Sequence, residues 1–187
     1  AAQVLAGMKP TLIISSDLER ARFTAKALAD LVNLEVSSTQ LLRETNGGEW
    51  EGKTGAQNRA DDFENFVRWI DGEDHPAGTT GERRSEVAAR AIKAINQALA
   101  GKDDQLLVVT THGGTARTII GTYLDLPIPF WSRIGGLSNA QWSILEESKP
   151  VVPTTTLIPL PMQKSRVVIT ASGVVKSTIT SVPVEIS

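Results

Sequence analysis

The chain has 187 residues, of which 41% are hydrophobic and 21% are charged, and its formal net charge is -2 at pH 7. A chain of this length fits a single domain, residues 1–187, with a conventional hydrophobic core. The small negative charge excludes a general attraction to nucleic acid or to an anionic membrane, and the absence of cysteine excludes disulfides and thiol nucleophiles. We therefore expect a globular, cytoplasmic protein that binds anions only through local arginines.

The sequence also argues against a metal site and against a membrane-spanning segment. The two histidines, His75 and His112, lack both clustered ligands and an HExxH spacing, so we expect no metal and no other cofactor. No apolar run approaches the roughly 20 residues that would span a bilayer. We accordingly expect neither a membrane nor nucleic acid among the partners of the chain.

The first elements of the chain alternate between strand and helix. Residues 12–15 form a short apolar run, and Ser16 and Asp17 follow it as candidate helix caps. Apolar residues at spacings of three and four over residues 18–32 then predict an amphipathic helix. Residues 35–38 are predicted to form a second strand.

The middle of the chain is predicted to be mainly helical. Apolar residues share one face of a lid-like helix over residues 61–71, and a loop over 71–81 separates it from a long helix that ends at Gly101. Residues 105–111 contain an unbroken apolar run, as in a parallel strand that is covered on both faces. A further helix over residues 115–124 follows this strand.

From residue 140 onward the sequence changes to short β-like runs that prolines interrupt. The runs are residues 141–146, 154–160, 166–170 and 174–186. We predict an α/β fold, a three-layer α/β/α sandwich with a mostly parallel central sheet, which closes with antiparallel strands or hairpins, some of them at an edge. An exposed edge from these strands could pair with a second copy and give a homodimer.

Two strand-to-helix corners carry side chains that suit an anion. Arg20 lies one turn into the first predicted long helix, where its planar guanidinium could hold phosphate oxygens in pairs, although a solvated surface arginine is the alternative. His112 ends the buried strand, and Gly113 and Gly114 would let backbone N–H groups approach an oxyanion. A structural histidine at a strand end is the alternative for His112. An arginine and a histidine at such corners are what phosphoryl chemistry requires.

Carboxylates in two loops are candidates for the acid and for substrate contacts. A leaving alkoxide must be protonated, and Glu44 is the best candidate for this step, with Glu49 and Glu51 as competitors. Glu82 begins the long helix, where the helix dipole favours a carboxylate whatever its function, and we count it as a candidate substrate-binding residue. Asn139 could orient a substrate or merely close a turn.

Four separated segments match, in order, the motifs of one family. They are SDLERARFTA (residues 16–25), LRETNGGEWEGKT (42–54), GERRSEVAAR (81–90) and VVTTHGGTAR (108–117). They resemble the second-arginine, acid-loop, GES and second-histidine motifs of the histidine phosphatases, also called the phosphoglycerate mutase-like superfamily. The resemblance covers residues 1–147 and implies the phosphoglycerate mutase-like fold. Within the family, residues 134–145 are most similar to actinobacterial phosphatases that act on phosphoglycerate sugars.

The resemblance implies a metal-independent hydrolysis of phosphomonoesters through a phosphohistidine. Arg20 would clamp the phosphate, His112 and the Gly113 backbone would bind it, and Glu44 would donate a proton to the leaving group. The substrate would be a small phosphorylated metabolite such as a phosphoglycerate or a phosphosugar. A phosphoglycerate mutase shares these groups, although the short sequence at residues 46–48 favours hydrolysis. A catalytically silent module that binds a phosphate ligand is the alternative from another class.

One motif of the family does not occur in the sequence. Family members begin with a strand that ends in Arg-His-Gly, and the histidine of this strand is the one that is phosphorylated. Residues 1–8 read as the middle of a helix, so we expect the Arg-His-Gly segment to precede them in a longer protein. The chain alone would then be inactive and its sheet would have a gap at the centre. Residues 148–187 match nothing in the family.

Overall fold

The computed structural model describes residues 1–146 and 165–172 of the chain. The strands are β1 (Leu12–Ser16), β2 (Val36–Thr39), β3 (Leu106–Thr111), β4 (Trp142–Glu146) and β5 (Arg166–Ala171). The α-helices are α1 (Ala2–Gly7), α2 (Glu19–Val32), α3 (Gly55–Asp61), α4 (Phe63–Ile70), α5 (Arg84–Leu99) and α6 (Gly113–Tyr123). Short 3₁₀ helices span Gln40–Leu42, Gly48–Trp50 and Ile128–Arg133. Strands and helices thus follow one another largely as the periodicity predicts.

The described strands form one sheet in the order β2-β1-β3-β5-β4. Strands β2, β1, β3 and β5 are parallel to their neighbours, and β4 alone runs antiparallel to β5. The register places Ser15 of β1 opposite Thr110 of β3. Because parallel strands end at the same edge of the sheet, the residues that follow β1 and β3 lie side by side.

Helices cover both faces of the sheet. Ile13 and Val108 pack with α1 and α2 on one face, whereas their neighbours Ile14 and Val109 pack with α5 and α6 on the other. This alternation follows from the two-residue period of a strand. The arrangement confirms the predicted α/β/α sandwich with a mostly parallel sheet.

Strand β5, which lies in the C-terminal tail, departs from the prediction. A position among antiparallel strands or hairpins was expected, but β5 lies inside the sheet, parallel to β3, and its last five residues are buried. Its apolar residues suit an interior position, because both of its faces are covered. The edge position belongs instead to β4. The predicted strands 154–160 and 174–186 lie outside the described residues.

The expected gap at the centre of the sheet is also absent from the described part of the chain. Strand β1 pairs directly with β3, β3 pairs with β5, and β5 pairs with β4. The expectation of a gap was therefore wrong for this sheet, because the tail strand continues the ladder beyond β3.

Two local predictions also differ from the structure. The single helix expected over residues 61–71 is two helices, because Asp62 adopts a non-helical conformation (φ -146°, ψ 59°) between α3 and α4. Ser16 and Asp17 were predicted to cap α2, but its N-cap residue is Leu18 and makes no side-chain cap hydrogen bond. The Oγ atom of Ser16 accepts from the amide of Leu18 at 3.3 Å and also lies against His112, and the Asp17 carboxylate binds Arg43.

The interior position of β5 predicts an unequal response to two matched truncations. Ile169 in β5 is 0% exposed, so Ile169→Ala should lower the free energy of unfolding by about 2–5 kcal/mol. Ile144 in β4 is 44% exposed, and Ile144→Ala should cost about 1 kcal/mol or less. Urea denaturation of both variants measures the difference. Equal losses would contradict the interior position of β5.

Candidate active site

His112 and Ser16 lie next to each other at the carboxyl edge of the sheet. His112 directly follows β3 and is 1% exposed, and Ser16 is the last residue of β1. The Nε2 atom of His112 lies 2.9 Å from the Oγ atom of Ser16. The direct pairing of β1 with β3 therefore places the imidazole against a hydroxyl group from the neighbouring strand.

Arg20 approaches the other nitrogen of the same imidazole. It lies in the first turn of α2, and its Nε atom donates to Nδ1 of His112 at 3.3 Å. Since Nδ1 accepts this bond, the ring proton is on Nε2 and points to Ser16. Burial lowers the pKa of His112, and the charge of Arg20 adds to this effect while the charge of Glu44 opposes it. The imidazole is thus neutral near pH 7.

Glu44 places its carboxylate at the N-terminus of α6, directly beyond His112. Its Oε2 atom accepts from the backbone amide of Gly114, and Oε1 accepts from that of Thr115, both at 3.1 Å. The amide of Thr45 donates to Oε1 at 2.9 Å. The start of a helix stabilises such a negative charge. The structure therefore brings the predicted residues Arg20, Glu44 and His112 to one site, while their catalytic roles remain predictions.

The two glycines after His112 have different roles in this geometry. A Cβ atom on Gly114 would lie 2.5 Å from Oε1 of Glu44, whereas one on Gly113 would meet only a carbonyl oxygen at 3.9 Å. Gly114 therefore makes room for the carboxylate. The Gly113 amide has no hydrogen-bond partner within residues 1–146 and 165–172, which leaves it available to an anion.

An ion pair joins the end of β1 to the loop that carries Glu44, residues 41–46, hereafter the Glu44 loop. Arg43 donates to both carboxylate oxygens of Asp17, from Nε at 2.8 Å and from Nη2 at 2.6 Å. The hydrogen bond from Arg43 holds the pKa of Asp17 below its usual value. Asp17 therefore links two site loops rather than capping α2.

Glu82, predicted as a substrate-binding residue, lies behind the Glu44 loop. Both of its carboxylate oxygens accept from Arg90, at 2.7 and 2.9 Å. Substrate binding by Glu82 remains a prediction, but its carboxylate already has a cationic partner. The sequence reasoning missed Arg90, although a signal exists: it lies three residues after Val87 and four before Ala94, both buried on the inner face of α5.

The other predicted residues lie around this centre. Asn139 is exposed in the turn before β4, and the next residue, Ala140, donates its amide to the carbonyl of Ala171 at 2.9 Å. Asn139 makes no direct bond to Arg20, Glu44 or His112 within the described part of the chain, so its role also remains a prediction. The competitors of Glu44 are placed differently: Glu51 accepts from the amide of Gly47 at 2.6 Å, and Glu49 is exposed.

Trp50 joins the Glu44 region to helices α3 and α4. Its Nε1 atom donates to Oδ2 of Asp62 at 3.1 Å. Its ring makes edge contacts with Phe66 and Trp69, at centroid distances of 5.7 and 6.0 Å. The helices beside the site are thus connected to the segment that follows Glu44.

The tail also reaches the site, which the sequence did not reveal. Ser172 follows β5, is 7% exposed, and donates both its amide and its hydroxyl to the carbonyl of Thr111, at 2.8 and 3.0 Å. It therefore lies beside His112, and a backbone hydrogen bond with Ser172 raises the pKa of that histidine against the larger effect of burial. Short β-like runs do not indicate which strand they will join.

Two further features concern metals and membranes. Within residues 1–146 and 165–172, no three His, Asp or Glu side chains are grouped so that they could hold a metal ion. No helix in the same described ranges has both the length and the apolar character to cross a membrane.

The mostly parallel sheet brings an arginine, a carboxylate and a histidine together at its carboxyl edge, and this arrangement is consistent with a phosphatase-type α/β enzyme. The model of the histidine phosphatase superfamily (branch 1) matches residues 1–151. The chain belongs to this superfamily, as the four sequence motifs predicted.

Its relatives include phosphatases and a mutase. Glucosyl-3-phosphoglycerate phosphatase of Mycobacterium tuberculosis is 38% identical over 154 residues, which are 78% of this chain and 68% of the relative. A solved structure of the mycobacterial enzyme with inorganic phosphate has a TM-score of 0.67 and 36% identity, over 74% of this chain and 70% of that chain. The probable phosphoglycerate mutase GpmB of Erwinia tasmaniensis is 30% identical over 117 residues, 63% of this chain and 54% of the relative. The predicted similarity to phosphatases of phosphoglycerate sugars is confirmed.

The contrast between the two glycines predicts a matched pair of effects. Gly114→Ala should displace the Glu44 carboxylate and lower the free energy of unfolding, despite the gain in helix propensity of about 1 kcal/mol that alanine brings. Gly113→Ala should retain that gain, because its Cβ atom meets only a carbonyl oxygen at 3.9 Å, an ordinary van der Waals contact. Thermal unfolding of the two variants provides the measurement. Equal stability of the two would show that the carboxylate does not need the space at Gly114.

The lowered pKa of His112 predicts how stability depends on pH. The unfolded chain binds a proton on this histidine at a higher pH than the folded chain does. The contribution of His112 to the free energy of unfolding is therefore complete above pH 6.5, and it is lost as the pH falls through the lowered pKa. His112→Asn should therefore flatten the dependence of the unfolding free energy on pH between about pH 7.5 and 5. Urea denaturation at several pH values measures the slope. A variant as steep as the wild type would contradict the assignment.

Proposed function

We propose that the chain forms the phosphate-binding and proton-donating part of a metal-independent phosphomonoester hydrolase that works through a phosphohistidine intermediate. The observation that carries this proposal is the contact between Arg20 and His112 (Nε to Nδ1, 3.3 Å) beside the N-terminus of α6, where Glu44 binds. A guanidinium, an imidazole and the Gly113 amide suit a tetrahedral anion, and the carboxyl group suits its leaving oxygen.

The phosphate would bind beside the Arg20–His112 pair, in contact with both side chains. Its oxygens would accept from the guanidinium of Arg20, from the imidazole and from the Gly113 amide. A bound dianion would favour protonation of His112, because an opposite charge stabilises the imidazolium. Positive charge from the two side chains makes a metal ion unnecessary for stabilising the transition state.

Glu44 would supply the proton for the leaving group. In the first step the bond from phosphorus to the leaving oxygen breaks, that oxygen takes the proton of Glu44, and a histidine nitrogen bonds to phosphorus. In the second step Glu44 takes a proton from water, whose oxygen displaces the histidine and releases inorganic phosphate.

We assign the attacking histidine to a segment outside residues 1–187. The chain has two histidines, and the Nε2 atom of His75 lies 2.9 Å from Oδ1 of Asn65 in α4. His112 belongs to the proposed phosphate site itself. The family motif implies an Arg-His-Gly strand for this role. Residues 1–187 alone should therefore bind phosphate but should not hydrolyse a phosphomonoester.

The substrate class that the similarities favour is a small phosphorylated metabolite, with a phosphoglycerate sugar as the first candidate. The M. tuberculosis relative carries that substrate in its name. Mutase activity is the second candidate, since a mutase uses the same groups and differs in protecting the phosphohistidine from water. A silent phosphate-binding module is the candidate from another class.

Phosphate binding by residues 1–187 should depend on Arg20 and not on a nearby arginine of the same helix. Arg20→Lys should weaken the binding of inorganic phosphate about 10- to 100-fold, because a lost hydrogen bond between charged groups costs about 1.5–3 kcal/mol. Arg22 is exposed two residues further along α2, so Arg22→Lys is the matched control. Titration calorimetry measures both affinities. Equal affinities for the two variants would place the phosphate elsewhere.

The full natural protein should hydrolyse a panel of phosphomonoesters and should retain its activity in EDTA, because arginine and imidazole provide the positive charge. Release of inorganic phosphate is the measurement. Loss of activity on chelation would contradict the metal-free mechanism. Conversion of 3-phosphoglycerate to 2-phosphoglycerate faster than phosphate release would indicate the mutase, and phosphate binding without turnover would indicate the silent module.

A further inference from the structure

We infer that Arg90, through its pair with Glu82, is the positioning residue for Glu44. Arg90 lies on α5, outside the site itself, and its side chain is 17% exposed. It holds the backbone of the Glu44 loop so that the carboxyl group stays at the N-terminus of α6. This inference rests on the proposed role of Glu44 as the proton donor.

The guanidinium of Arg90 uses all five of its N–H groups. Its Nε and Nη2 atoms bind the two carboxylate oxygens of Glu82, at 2.7 and 2.9 Å. Its Nη1 atom donates to the carbonyls of Leu41 and Arg43, both at 2.8 Å, and Nη2 donates to the carbonyl of Glu44 at 3.1 Å. One side chain therefore satisfies three carbonyls within four consecutive residues.

The Glu44 loop needs such a partner because residues 43–46 belong to no helix or strand. Carbonyl groups of an irregular segment that is partly buried must find donors outside it. A planar guanidinium can reach a carboxylate on one side and several carbonyls on the other, whereas a lysine ammonium is a compact group with three donors. The position therefore requires arginine for its geometry as well as for its charge.

Glu82 completes this arrangement from the loop before α5; it was expected to begin the helix, but α5 begins two residues later, at Arg84. Its Oε2 atom accepts from the amide of Asn46 at 2.8 Å, and its own amide donates to the carbonyl of Asn46 at 2.9 Å. Burial raises the pKa of Glu82, but the hydrogen bonds from Arg90 and Asn46 together leave it below its usual value. The carboxylate thus compensates the charge of Arg90 next to the site and fixes the far end of the loop.

The opposite side of the loop is held by β3 and α6. The hydroxyl of Thr111 donates to the carbonyl of Leu42, and that of Thr115 donates to the carbonyl of Arg43, both at 2.7 Å. The loop therefore lies between two sets of donors, and the Glu44 carboxylate ends at the amides of Gly114 and Thr115. If Arg90 is removed, only one set remains and the carboxylate can leave those amides.

Amide hydrogen exchange of Gly114 and Thr115 reports this position directly, because Glu44 is the acceptor for both amides. Arg90→Lys and Glu82→Gln should make the exchange of these two amides about 10-fold faster, as expected when a hydrogen bond is lost. Arg166→Lys is the matched control, since it alters an ion pair with Glu146 that is remote from the loop. The control should leave both amides as slow as in the wild type.

Kinetics of the full natural protein provide the second readout. Arg90→Lys should lower kcat about 100-fold, the scale expected for a misplaced catalytic group, with the affinity for inorganic phosphate unchanged. Unchanged exchange at Gly114 and Thr115 in both variants would overturn the inference. Loss of protection spread over the whole sheet in both variants would also overturn it, because the pair would then support the fold in general. If the wild type has no hydrolase activity, the proposed function fails, and amide exchange still decides the role of Arg90.

Discussion

The direct parallel pairing of β1 with β3 is the constraint on which the site depends. It sets the end of each strand at the same edge, so that Ser16 and His112 meet at 2.9 Å and α2 and α6 begin next to each other. Arg20 then reaches the imidazole from the first turn of α2. The site is therefore a consequence of strand order, and the loops add Glu44 to a geometry that the sheet has already established.

Charge compensation separates the arginines of this region into two kinds. Arg43 and Arg90 each bind both oxygens of a carboxylate, from Asp17 and Glu82 respectively. Within the part of the chain that the structure describes, Arg20 has no carboxylate partner and bonds to a neutral imidazole instead. A guanidinium without a carboxylate partner beside a neutral histidine leaves a local positive charge, and this supports the proposal that Arg20 binds the phosphate.

The sequence predicted the order of the main elements and the gathering of Arg20, Glu44 and His112, because residues at the ends of parallel strands and at helix starts share one edge. It did not predict that β5 lies inside the sheet, since a β-like run carries no information about its neighbours. It also missed Ser16, which contacts His112, and Arg90, which holds the Glu44 loop. A serine at a strand end resembles a helix cap, and an arginine on a helix resembles a surface residue until the carbonyls that it binds are known.

Strand β5 shows that the sheet extends further along the chain than the residues that match the family. The match ends at residue 151, before β5 begins, yet β5 separates β3 from β4 in the middle of the sheet. A protein shortened at that boundary would lose the neighbour of β3 on the side of Ser172, and the bared strand would become a template for aggregation. Expression boundaries, fusion points and tags are therefore better chosen from the sheet than from an alignment.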